Sequence, residues 1–138
     1  VKLGVLFAVS SAAFLAGCGF VRDDTLVGPY RLVAVDVIED TELCWSIGGG
    51  NVVCNLLPDG TVFAAGYNDK YITVAMHPDL RKRTQTQYFY LIRDPKTEND
   101  VHGDAHVARL GPFNEGVFAA EKKAHGLPEF SIVYEELK

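Results

Sequence analysis

The chain has 138 residues, a formal net charge of -5 and 48% hydrophobic residues, which suits one globular domain built round a single core. An acidic chain without a broad basic face lacks the charge that neutralises phosphates, so nucleic acid is not expected as a partner. Beyond the N-terminus no apolar run is long enough to span a bilayer, which takes about 20 residues, and no internal repeat or low-complexity tract occurs.

At the N-terminus Lys2 precedes the apolar run Leu3-Gly4-Val5-Leu6-Phe7-Ala8-Val9, and small residues from Ser10 to Ala13 lead to Leu15-Ala16-Gly17-Cys18. A charged start, a short apolar stretch and small residues before a cut describe a secretory signal peptide. Leu15-Ala16-Gly17-Cys18 resembles the cleavage-and-lipidation box of bacterial lipoproteins. The resemblance covers the first eighteen residues. It implies a signal peptide over 1–17, a thioether-linked diacylglycerol on Cys18, cleavage after Gly17 and N-acylation by a chain such as palmitate. Gly19 after the cysteine, rather than Asp, is similar to cargo sorted to the outer membrane of a Gram-negative host. Membrane attachment through these chains is expected to be stable, because each buried methylene adds about 0.8 kcal/mol and more than one chain is supplied.

Removal of the signal leaves 12 basic against 18 acidic residues, a net charge of -6. Residues 18–27, with Arg22, Asp23, Asp24 and Thr25, read as a short polar tether, of which the eight residues Phe20 to Val27 reach at most roughly 28 Å when extended. Residues 28–138 read as one β-rich domain. Tyr30 to Ile38 carries apolar residues on both faces, interrupted by Asp36, as a central strand does.

Glu42–Ile47 and Asn51–Leu57 are expected to form a hairpin through Gly48-Gly49-Gly50, whose glycines supply positive φ angles. Closing the loop between Ile47 and Asn51 pairs Ser46 with Val52, Trp45 with Val53, and Cys44 with Cys54. An oxidising compartment then favours a Cys44–Cys54 disulfide as a structural staple. Further strands are expected over Thr61–Ala65, Lys70–Met76 and Gln87–Arg93, with turns at Pro58-Asp59-Gly60 and Gly66-Tyr67-Asn68-Asp69. Residues 97–110 give no clear pattern. A helix follows from Asn114, an N-cap with Glu115 at the positive dipole end and Phe113 stapled onto Phe118. It ends at Gly126, before Pro128, and Phe130–Leu137 reads as a last strand. The expected class is therefore α+β, mostly β: an antiparallel meander sheet with one C-terminal helix and a final strand.

Gly66-Tyr67-Asn68-Asp69-Lys70-Tyr71-Ile72, the aromatic strand Tyr88–Ile92, and Gly111-Pro112-Phe113 before a helix containing Phe118 are similar in order to an uncharacterised family of small bacterial lipoproteins. That resemblance implies one domain with a late helix and assigns no activity.

Four potential metal ligands alternate in Asp100, His102, Asp104 and His106. On a strand they share a face, and on a helix the two histidines lie one turn apart, a spacing suited to zinc. Gly103 weakens either structure, and the same alternation describes a solvated loop, which is the reading adopted; no metal or other cofactor is expected. His77, Pro78, Asp79, Arg81, Lys82 and Arg83 form the one basic cluster, open to anionic lipid or an acidic partner but also readable as a solvated tip. Tyr67, Tyr71, Tyr88, Phe89 and Tyr90 are set to cover the sheet or to form an exposed patch. Asp36, Glu39, Asp40 and Glu42 gather at a strand end as a charged turn. Ser46 and Ser131 lie outside any Gly-x-Ser-x-Gly elbow, so no catalytic residue and no enzyme activity is expected. The reading is a monomeric, lipid-anchored envelope protein that binds, of an inhibitor or immunity type, in the outer membrane facing the periplasm of a Gram-negative host. A structural or assembly lipoprotein of the outer membrane is the alternative.

Overall fold

The computed structural model describes residues 19–99 and 107–138. Its first strand, β1 (Arg22–Val27), pairs antiparallel with β2 (Tyr30–Ala34). Gly28 turns between them at φ 54°. The segment assigned above to a tether is thus the domain's first edge strand, and the domain begins at Arg22 rather than at residue 28. Charge density hid it, because an edge strand tolerates charges that find partners. Arg31 Nε lies 2.7 Å from Asp23 Oδ1, the Tyr134 hydroxyl donates to Asp24 Oδ2 at 2.5 Å, and Leu26 is buried.

β2 has β3 (Glu42–Gly48) on its other side, the central position its apolar faces predict. It ends at Ala34, however, and a single 3-10 turn over Ile38–Asp40 follows. β3 and β4 (Asn51–Val53) pair Ser46 with Val52 and Trp45 with Val53, the expected register. Just past β4, Cys54 is disulfide-bonded to Cys44 with their Cα atoms 4.2 Å apart.

The meander is divided into two antiparallel sheets. The second has the order β8-β7-β6-β5-β9, built from β5 (Thr61–Tyr67), β6 (Tyr71–His77), β7 (Gln87–Ile92), β8 (Ala108–Phe113) and β9 (Ile132–Val133). Both sheets close over one core, with Tyr30, Leu32 and Trp45 from the first and Ile72, Met76, Phe89 and Leu91 from the second. Tyr30 meets Trp45 edge to face at 5.0 Å, a geometry that adds about 1 kcal/mol to area burial. β5 and β6 are buried along nearly their whole length, so their sequences read as unbroken apolar runs rather than alternating ones.

α1 (Glu115–His125) has the expected caps: Asn114 Oδ1 accepts from the Val117 amide at 2.9 Å, and Gly126 at φ 65° sends its amide to the Lys122 carbonyl at 3.0 Å. Phe118 is its one buried residue and stacks on Tyr88 at 4.9 Å. The final strand is shorter than expected. Only Ile132–Val133 pairs with β5, and Glu135–Leu137 then turns to drive Leu137 into the core at 0% exposure. Burying that leucine contributes about 1.5–3 kcal/mol, which favours the turn over a longer edge strand.

Candidate functional site

One end of the first sheet carries an open cleft of about 330 Å³ lined by Val35, Asp40, Glu42, Asp59 and Gly60. Pairing of Val33 with Glu42 places Glu42 on the sheet's outer face, half-buried. Its carboxyl is pushed above the usual carboxylate range by burial first, then by the charges of Asp59 and Asp40.

The cleft's acidic wall is held from behind. Thr41, fully buried, donates to the Ile38 carbonyl at 2.5 Å and accepts from Arg22 Nη1 at 3.1 Å. Thr61 donates to the Glu39 carbonyl at 2.5 Å, and the Val62 amide reaches the Thr41 carbonyl at 2.8 Å. Arg22 also pairs with Glu136 and lies over the Tyr134 ring. Val35, which lines the cleft, is 55% exposed, and Val37 and Val21 are exposed to 49% and 52%. Of the carboxylates expected to gather as a charged turn, Asp40 and Glu42 line the cleft. Asp59 reads in the sequence only as part of the next turn, because the approach of the two turns exists only after folding.

A second cleft of about 250 Å³ lies between α1 and the sheet, lined by Tyr88, Glu115, Phe118, Ala119, Lys122, Glu129 and Phe130. Most of the aromatic set anticipated as a patch is used in packing. Phe89 faces the core, Tyr71 meets Tyr90 edge to face at 5.7 Å, and the Tyr90 hydroxyl donates to Glu121 Oε2 at 2.9 Å. Of the five only Tyr67 is exposed, at 45%. Lys122 Nζ sits 2.5 Å from Glu129 Oε2 at the cleft's side.

The basic cluster separates on folding. His77 is a core residue at 2% exposure, stacked on Phe63 at 4.5 Å with Nδ1 3.0 Å from the Gln85 carbonyl. Arg81 and Lys82 remain exposed, while Arg83 Nη1 donates to the Glu136 carbonyl at 3.0 Å. The Glu42 carboxylate and the sulfurs of Cys44 and Cys54 lie within 4.8 Å of one another. Because the sulfurs are bonded to each other, the trio presents no thiolate to a metal. Cys18 and the alternating Asp100, His102, Asp104 and His106 lie outside the described residues. No helix among the described residues is long and apolar enough to cross a membrane. No protein-family profile, curated protein or solved structure matches the chain.

Proposed function

We propose that the chain is a lipid-anchored envelope protein that acts by binding, as a monomer without a cofactor, and that it holds off a protein that attacks the envelope. The observation that carries the reading is the box Leu15-Ala16-Gly17-Cys18 placed immediately ahead of the folded domain. Only Gly19, Phe20 and Val21 separate Cys18 from β1. From Cys18 to Arg22 the extended chain reaches about 14 Å, so acylation of Cys18 sets the domain close against the bilayer surface. A small acidic domain stapled by a disulfide and held there is suited to intercepting what arrives at that surface. Carboxylates and exposed valines beside an open cleft support contact through the anchor-proximal end.

A Cys18→Ala variant tests the anchor: it is expected to leave the membrane fraction while its far-UV spectrum stays native. Firm membrane association of that variant overturns the reading. For the binding half, the lipidated chain is expected to retain a partner from envelope lysate, and a chain that retains none counts against it.

A further inference from the structure

We propose that the anchor-proximal end is a docking surface for a cationic amphipathic polypeptide, received where Val35 borders the carboxylates of Asp40, Glu42 and Asp59. The inference rests on the reading above for where the partner is met, and it supplies the partner's chemistry.

Two features coincide at this end. The first is apolar. Val21 donates its amide to the Ala34 carbonyl at 2.9 Å, which ties it to the end of β2 that Val35 directly follows. Val35 lines the cleft, and it, Val37 two residues on and Val21 are each about half exposed. A clustered apolar surface with a polar rim marks an interaction site where scattered exposed residues do not.

The second feature is charge without counter-charge. Several of the domain's other acids do have a cation: Asp23 with Arg31, Glu98 with Arg93, Glu129 with Lys122, and Glu136 with Arg22. The cleft is lined by Asp40, Glu42 and Asp59, and no Lys or Arg among the described residues forms a salt bridge with any of them. Their mutual repulsion in the free protein is relieved when a cation enters, which makes the surface complementary to a basic partner. A Lys or Arg side chain suits both features, laying its apolar stem along Val35 while its head sits among the carboxylates.

The bilayer is a poor occupant, because anionic headgroups are repelled by the same rim. Cationic amphipathic polypeptides, in contrast, concentrate at anionic membrane surfaces before disrupting them. A surface three residues beyond Cys18 meets them there.

The test uses the lipidated full chain in phosphatidylcholine nanodiscs, whose neutral surface does not gather cations. The probe is a dye-labelled synthetic amphipathic Lys/Leu peptide, with a Glu/Leu peptide as control. The expected result is binding of the Lys/Leu peptide only, weakened about tenfold by Asp40→Asn with Glu42→Gln and several-fold by Val35→Ser. Binding of wild type is also expected to fall as salt is raised, a measurement that holds even if the double variant misfolds. Undiminished binding by a folded double variant, equal binding of the two peptides, or salt-independent binding overturns the proposal. Protection of residues 35–42 from hydrogen exchange by anionic nanodiscs without peptide overturns it too, in favour of the bilayer. Mass spectrometry of the same preparation reads the acyl groups on Cys18. Absent lipid therefore counts against the anchor alone, and absent peptide binding against the surface alone.

Discussion

Gly66 shows how one residue can hold two elements at contact distance. A Cβ built there falls 1.9 Å from the Glu129 carbonyl oxygen and 2.8 Å from its carbon, backbone atoms that cannot swing aside as a side chain can. Gly66→Ala is expected to force the 129–131 segment away from β5 and to cost about 1–3 kcal/mol, read from the denaturant midpoint. Gly126→Ala is the contrast. Nothing lies within 4 Å of its Cβ, and only the φ of 65° resists it, so the expected cost is smaller, about 1 kcal/mol. Equal losses would show that close approach is not what Gly66 provides. This requirement is not legible in the sequence, because the atoms that impose it come 63 residues later. Glu42 offers a second test, through pH. Burial, then Asp59 and Asp40, raise its folded-state carboxyl above the unfolded value. The stability it contributes is therefore present below the unfolded value and lost as pH rises through the folded one. Glu42→Gln is expected to remove that loss, so its midpoint minus that of wild type grows as pH rises across the carboxylate range. Taking the difference matters, since Glu136 is shifted down by its backbone hydrogen bond and Arg22 and acts in the opposite sense. A difference that is constant with pH overturns the assignment to Glu42.

Local elements were readable and non-local ones were not. The β3–β4 hairpin and α1 carry their own instructions, in the three loop glycines and in the Asn114 and Gly126 caps, and the structure keeps register and caps as expected. β1 and β8 do not. Arg22, Asp23 and Asp24 look like linker until Arg31 and Tyr134 are brought to them. Gly111-Pro112 within β8 argues against a strand anywhere but at an edge, which is where it lies. The alternation of Phe130, Ile132 and Tyr134 predicts a longer β9 than forms, because the fate of Leu137 depends on the distant core it enters. Two outcomes are expected at this scale. Reducing Cys44–Cys54, which spans a sequence separation of 10, should lower stability by about 3 kcal/mol in the chain-entropy model, read as a shift in midpoint. Leu137→Ala should cost about 2–5 kcal/mol by leaving a cavity between the sheets. If Leu137→Ala were neutral, the terminal turn would be an ornament rather than part of the core.

Considered whole, the domain places its two sheets in one energetic unit. Tyr30, Leu32 and Trp45 of the first sheet belong to the same buried cluster as Ile72, Phe89 and Leu91 of the second, and Leu137 joins it. Backbone bonds cross between them as well, from Val62 to the Thr41 carbonyl. Removing either sheet leaves the other's inner apolar face open to water, so neither is expected to persist alone. The charged wall of the cleft depends on that union, since Thr61 of β5 holds the Glu39 carbonyl of the first sheet's turn. Unfolding should therefore be a single transition. Trp45 is the chain's one tryptophan and is 1% exposed, so its fluorescence reports the first sheet. Circular dichroism at the helix band reports α1, which packs through Phe118 on the second. Coincident midpoints by the two probes in denaturant are expected. If Trp45 became exposed while the helix signal held, the first sheet would open independently, and the cleft would be a feature of a labile flap rather than of the folded core.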